Sequence, residues 1–495
     1  MTLSQFDAWS DGLQLPRAAA SPTPVRVVVD DVKFPTNAWQ VVRMCAFFGC
    51  RRPVFLSDLS GANSRFGCLA DNVHFVSNCH AIGVGTAGLA ALADDDDDPA
   101  APHCVTRWVT LALSLHPPSA AVPVHDLHDV PWAALLPRRD DGDKVRWGLQ
   151  VLVGQENGLS TAALALADRC VRLPQFGSVG SLSMASALGI ILMHCHRHAR
   201  CADSDDVGPA PGQRRLTALP ARPETAVSGA GGHAATNAFY GGEKRPREAA
   251  SDAAAATAAN DDEDEEVTPA PRDVARIRAS LASERAAAAA DVIVWWCNAH
   301  GDRNLGATVR VANAYNAVGV AVAGKKKFNP RGALGCQLVT SVAVVAKDAA
   351  AAVDVAAWPV ELVGSTARYG VPHVWALTQP WPFLEPPAAD VPVPQSADEL
   401  AAEAAPLLSL DDTPALLAAV GDAIAAAGGR RPLIVLAVPE EGRRLPAALR
   451  RAAHRRVVVT RASAPSPLQR GLPGAIAAAI ALERIRFAIR TFPLP

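Results

Sequence analysis

Short runs of aliphatic and β-branched residues alternate with helical patterns along most of the chain. VRVVVD at 25–30, PVFLS at 53–57, CVTRWVTLAL at 104–113 and LQVLV at 149–153 read as strands, because each is a brief apolar run bounded by polar or turn residues. Between them, apolar residues at helical spacing predict helices beginning near Asn37, Ser160 and Leu182. A second series follows further along. Residues 272–290 read as a helix, 292–296 (VIVWW), 318–323, 373–377 and 432–438 as strands, and roughly 472–490 as a final helix. Strands alternating with helices predict an α/β fold with parallel sheets.

The pattern fails in two places. Residues 1–24 carry no periodic signal and read as a flexible leader, and 201–271 are rich in Gly, Pro, Ala and Asp and contain the acidic run DDEDEE at 261–266. Such a segment buries too little apolar surface to offset its ordering entropy, so it reads as a disordered acidic linker between domains at 25–200 and 272–495. The run DDDDD at 94–98 reads as a surface loop.

The 495 residues suffice for two or three domains with sizeable cores, and 49% hydrophobic with 19% charged residues suits a soluble protein. No apolar run reaches the ~18–20 residues of a membrane span. MTLSQFDAWSDGLQLPR lacks the basic and apolar regions of a secretory signal, and Asp7 and Asp11 argue against a transit peptide. The ten cysteines include no CxxC pair and read as reduced, partly buried thiols of an intracellular protein, in the cytoplasm or nucleus more readily than in mitochondria.

The two series repeat one plan. In the first, N37-AWQVV-R43 opens a helix, and VLVGQENGLSTAALALADRCVRLP later leads into SLSMASALGIIL. In the second, N304-LGATV-R310 opens a helix, and IVLAVPEEGRRLPAALRRAAHRRVVVT leads into GLPGAIAAAIAL. The shared order points to a tandem duplication. The loop glycines Gly154, Gly158, Gly177 and Gly180 permit tight turns and close backbone approach to a ligand, and Leu173 and Leu182 offer apolar walls.

Strand–N-x5-R–helix, then strand–G-x-E-x-G-L-S–helix, then a Gly-rich loop and S-L–helix resembles the SPOUT class of RNA methyltransferases, closest to the SpoU/TrmH-like ribose 2′-O-methyltransferases. The resemblance covers 25–200 well and 291–490 loosely. It implies two α/β domains, each with a C-terminal trefoil knot that binds S-adenosylmethionine, paired as an intramolecular pseudo-dimer. It also implies an RNA substrate, tRNA or rRNA. Gly154, Gln155, Glu156, Gly158, Leu173, Gly177, Gly180 and Leu182 would then hold the cofactor. Asn37, Arg43, Glu156, Ser181, Asn304 and Arg310 would serve catalysis. Methyl transfer needs an in-line approach of the ribose oxygen to the activated methyl, and Arg43 or Arg310 would orient that oxygen and its phosphate. A guanidinium remains protonated, so its role is orientation and charge stabilisation.

The departures are also specific. Ser183 stands where the family has Asn, and Pro439, Arg444, Gly471 and Pro473 interrupt the cofactor motifs of the second copy. The second copy nonetheless has the better first motif, with Gly306 where the first has Trp39. This predicts a composite site, in which copy one holds the methyl donor and copy two supplies Asn304 and Arg310. The alternatives are an RNA-binding or ribosome-assembly factor of the same descent without turnover, and base methylation.

Residues 430–490 contain thirteen Arg and no Lys against three Glu, a local net of about +10 that the overall charge of −2 conceals. The pairs Arg443/Arg444, Arg450/Arg451 and Arg455/Arg456 are the candidate RNA contacts, with KKK at 325–327 alongside. HCHRHARC at 194–201 lacks the spacing of a standard metal site, so no metal is expected there. Cys45 and Cys50 read as core residues, and KRPR at 244–247 as solvated linker charge.

Overall fold

The computed structural model describes residues 25–32, 34–57, 78–89, 107–114, 117–136, 147–154, 158–179, 182–202, 271–298, 303–324, 330–345, 368–378, 405–439, 445–460 and 472–493, with Leu59, Phe75, Leu92 and Leu362 between them. The expected leader, nearly all of the expected linker, KRPR and Lys325–Lys327 lie outside the described residues.

The first half contains β1 (Val25–Asp30), α1 (Pro35–Phe48), β2 (Val54–Phe55), β3 (Ala81–Ile82), α2 (Gly85–Leu89), β4 (Arg107–Leu113), β5 (Val124–Asp126), α3 (Trp132–Leu135), β6 (Trp147–Gly154), α4 (Thr161–Leu164), β7 (Arg169–Arg172) and α5 (Met184–Ala202). The second contains α6 (Pro271–Ala286), β8 (Asp291–Asn298), α7 (Arg303–Ala314), β9 (Gly319–Gly324), β10 (Ser341–Val345), β11 (His373–Leu377), β12 (Leu407–Ser409), α8 (Thr413–Ala426), β13 (Leu433–Val438), α9 (Ala447–Arg451), β14 (Arg455–Val458) and α10 (Gly474–Thr491).

Each half forms one seven-stranded sheet, ordered β3-β2-β1-β6-β4-β7-β5 and β10-β9-β8-β13-β11-β14-β12. Counted from its own first strand, each sheet has the same order, and all the paired strands run parallel. Helices cover both faces, which explains why central strands such as VRVVVD and LIVLAV are apolar along their length and every residue of both is buried. β1 carries two buried polar residues, Arg26 and the terminal Asp30, and Arg26 is paired. Arg26 donates to Gln150 Oε1 (2.7 Å), its guanidinium lies 4.1 Å from the Trp108 ring centroid, and Gln150 passes a hydrogen bond to Thr110.

One contiguous apolar core runs through both halves, from Val25 in β1 to Ile489 in α10. α1 packs on α5, α5 packs on α10, and α10 packs on α7 and α8. Gly189 is a close point of the α5–α10 contact, since a side chain there would press on Ile476.

The long central strands and the flanking helices occur within a few residues of their expected places. The peripheral strands β3, β5, β10 and β12 and the helix α8 were not expected. α8 did carry a start signal, because Asp412 Oδ1 accepts the Ala415 N–H (2.9 Å) and Pro414 follows the cap. Its Ala-rich sequence lacks a clear polar stripe, which obscured its periodicity. Among the described residues, Cys45, Cys79, Cys170, Cys195 and Cys336 are buried in the core, and Cys50 and Cys297 are half-buried.

Candidate functional site

In an open parallel sheet, ligands bind beyond the carboxyl ends of the strands where the strand order reverses. In the first sheet that place is the junction of β1 with β6, from which β2 and β3 lie to one side and β4, β7 and β5 to the other. The two strands end side by side at the pair Asp30–Gly154. Asp30 is buried, and its Oδ2 accepts the Ser160 N–H at 2.7 Å, tying the far side of the glycine loop back to the strand end. Ser160 in turn caps α4 by accepting the Ala163 N–H (3.1 Å). Sequence reasoning assigned no role to Asp30, although it closes this apolar strand as a charged residue.

Two glycines of the loop are required for different reasons. A side chain on Gly154 would overlap the carbonyl of Gly158, so the chain doubles back too closely for any other residue. Gly158 has open space around it but a φ of 73°, which disfavours residues with a Cβ. Gln155, Glu156, Gly180 and Ser181 lie outside the described residues.

The neighbouring loop after β7 is held by the other half of the chain. Phe176 and Gly177 both donate their N–H groups to the Ala314 carbonyl at the end of α7 (2.7 and 3.0 Å). Asn313 Oδ1 accepts the Val179 N–H (2.8 Å), and Asn313 Nδ2 donates to Ser178 Oγ and Thr340 Oγ1 (3.1 and 3.0 Å). Gly177 therefore has a structural duty: a Cβ there would overlap the Asn313 main chain. Leu173 is half-buried and Leu182 buried, both against the central core. Asn313 escaped notice because its importance comes from a contact between residues 134 positions apart.

The remaining site residues occupy parallel places in the two halves. Asn37 and Asn304 sit in the first turns of α1 and α7, and Arg43 and Arg310 about two turns further on; all four are half-buried. Asn37 is not a helix cap, since α1 starts at Pro35 after Phe34. The cap of α5 is Ser183, whose Oγ accepts the Ser186 N–H (3.1 Å), so this hydroxyl does helix-capping work.

The arginine-rich tail is not one cationic surface. Arg484 and Arg486 are buried in α10, where Arg484 donates to the Leu410 carbonyl and to Thr413 Oγ1. Arg490 pairs with Glu284, Arg431 with the buried Asp291 (2.9 Å) and Arg455 with Asp422. Arg456 donates to the Ala405 carbonyl (2.8 Å) and Arg450 to that of Leu445 (3.2 Å), both half-buried, whereas Arg451 is exposed. Arg443 and Arg444 lie outside the described residues. A local count of +10 therefore overstates the charge offered to a partner, because several of these guanidinium groups pack inside the protein or pair with acids.

A further polar cluster lies where the halves meet. Glu483 on α10, with its side chain 1% exposed, faces His128 Nε2 at 2.9 Å and His194 Nε2 at 3.2 Å. His128 comes from the turn after β5 and stacks on Phe487 with ring centroids 3.9 Å apart; His194 lies in α5 beside Trp132. Burial lowers the His194 imidazole from its ordinary range, and burial with the charge of Arg197 lowers His198 to about 3. His194 was noted in sequence within HCHRHARC, but its partners on other elements were not visible there.

No family model matches the chain, and no curated protein matches it. Among solved structures, the SpoU methyltransferase AviRb from Streptomyces viridochromogenes aligns over 41% of this chain and 62% of its own, at 18% identity and a TM-score of 0.27. A probable methyltransferase from Bordetella pertussis aligns over 39% of this chain and 99% of its own, at 20% identity and a TM-score of 0.25. An RNA 2′-O ribose methyltransferase aligns over 41% and 57%, at 19% identity and a TM-score of 0.24. The chain thus spans less than two thirds of the Streptomyces enzyme it resembles.

Proposed function

We propose that this chain transfers the methyl group of S-adenosylmethionine to a ribose 2′-OH of structured RNA, tRNA or rRNA, as a tandemly duplicated SPOUT-type protein. The reading takes residues 25–200 and 272–495 as two copies, each with a C-terminal knot, paired as an intramolecular pseudo-dimer. The identical strand order of the two sheets supports the duplication. The observation that carries the function is the glycine loop beyond the paired ends of β1 and β6, closed by Asp30 and flanked by a second loop that Asn313 and Ala314 of the other half hold in place.

The cofactor belongs in that first-half crevice, with Gly154 allowing the tight loop, the open space beside Gly158 admitting the adenosyl group close to the backbone, and Leu173 and Leu182 as its apolar neighbours. Bound there, it supplies an activated methyl that needs no covalent help from the protein. The chain's own task is to place the ribose oxygen in line. Arg43, or Arg310 across the interface with Asn304, holds the adjacent phosphate and favours alkoxide character on the attacking oxygen.

The second copy departs from the cofactor pattern at Pro439, Arg444, Gly471 and Pro473. One cofactor per chain is therefore expected.

The test is calorimetric titration with S-adenosylmethionine, with a Gly154→Arg variant alongside, followed by transfer of labelled methyl to total tRNA and rRNA and nuclease digestion. Binding near one equivalent that the variant loses, with label in a 2′-O-methylnucleoside, supports the reading. Label in a base moves the reaction to base methylation. RNA binding without cofactor binding favours the second reading, an assembly factor without turnover, for which Ser183 and the altered second-copy loops speak.

A further inference from the structure

We propose that His128, His194 and Glu483 form a binding site for one divalent transition-metal ion of the zinc type, which clamps the two halves of the chain together. Two imidazoles and a carboxylate are a donor set for zinc and its neighbours rather than for magnesium or calcium, which prefer oxygen alone. The donor atoms already converge, lying within 4.8 Å of one another, with the two Nε2 atoms 2.9 and 3.2 Å from the two carboxylate oxygens. A tetrahedral ion with bonds of ~2.0–2.1 Å sets neighbouring donors roughly 3.4 Å apart, close to both nitrogen–oxygen distances here.

Two observations favour a ligand set over a plain ion pair. Both imidazoles turn Nε2 towards the buried Glu483 carboxylate, one to each oxygen, so all the donors already face one another. Beside the cluster is a cavity of about one water's size, lined by His128, Glu483 and Tyr315 among others. The Tyr315 hydroxyl is buried without a hydrogen-bond partner among the described residues. A water in that cavity would complete the coordination and satisfy the hydroxyl.

The surroundings suit this use. The stack of His128 on Phe487 and the packing of His194 beside Trp132 fix both rings before the ion arrives. Arg484 donates to Leu410 and Thr413, and Arg490 pairs with Glu284, so neither takes the Glu483 carboxylate. Two ligands come from the first half and one from the second, so binding the ion stabilises their association. The site is enclosed, and its role is structural. It stands independently of the methyl-transfer reading.

The test uses the full chain, stripped with a chelator and titrated with cobalt(II), followed by displacement with zinc(II). The expected result is one equivalent per chain, a tetrahedral visible spectrum without a thiolate charge-transfer band, and a higher unfolding temperature. His128→Gln and His194→Gln should each weaken cobalt binding by roughly tenfold or more. His128 lies at the edge of the cluster, 13% exposed, so its variant keeps the fold, as circular dichroism will register. Absence of stoichiometric binding, a thiolate band, or wild-type affinity in the His128 variant would each overturn the proposal.

Discussion

Gly177→Ala separates two roles for one residue, because the loop it occupies is both a candidate cofactor wall and a contact between the halves. Its φ lies outside the left-handed region, so alanine suits the backbone locally and any effect comes from the contact. The added methyl meets the main chain of Asn313, inside a helix, which cannot yield as a flexible side chain would. The loop must lift by on the order of 1–2 Å to restore a ~3.5 Å non-bonded separation. That stretches the hydrogen bonds from Phe176, Gly177 and Val179, now 2.7, 3.0 and 2.8 Å, towards or beyond useful length. At about 1 kcal/mol each, their loss costs about 3 kcal/mol. The reduced freedom of the unfolded chain returns about 0.4–1 kcal/mol, so the net destabilisation expected is about 2–3 kcal/mol. Urea unfolding of the full chain, wild type against variant, measures it. A change below about 0.5 kcal/mol, which is the ordinary scatter of surface substitutions, would refute the contact as described.

Further expectations follow from the same geometry. Asp30→Ala removes the acceptor of the Ser160 N–H and should cost about 1–2 kcal/mol while weakening cofactor affinity more than RNA affinity, as paired calorimetric and filter-binding titrations will compare. Asn313→Ala, on the other half, should also weaken cofactor binding if the loop after β7 is the proposed cofactor wall, and an unchanged dissociation constant would break that link. His373 accepts the Trp375 indole N–H on Nδ1 (2.7 Å), and burial with the neighbouring His454 lowers it to about 4. The unfolded chain takes up this proton below about pH 6.5 and the folded chain only below about 4, so stability should fall as pH drops across that window. A His373→Gln variant should flatten that slope in denaturation midpoints measured from pH 7 to about 4. Arg451→Ala should lower RNA affinity and reduce the magnitude of the salt slope by about 0.9 if Arg451 meets a phosphate, whereas buried Arg486 should affect stability instead.

The sequence by itself determined the α/β class, the long central strands and the principal helices. A strand buried on both faces must be apolar along its length, and a helix over a sheet must repeat its apolar side, so VRVVVD, LIVLAV and the residues of α5 announced themselves locally. The glycine loop at 154–158 was legible for the same reason, since a tight turn demands glycine wherever it occurs. Peripheral strands of a few residues, such as β3 and β12, carry too little pattern to stand out, and their pairing depends on the strands already beside them. The charge of the C-terminal region misled because a count of arginines does not say which side of α10 faces the core. Only the tertiary structure decided that Arg484 and Arg486 are inside and that Asn313 braces a loop of the other half. It likewise decided that His128, His194 and Glu483 share one point. Those contacts join residues separated by hundreds of positions or by a whole sheet, and side-chain pairing over such distances is set by how helices pack rather than by any local propensity.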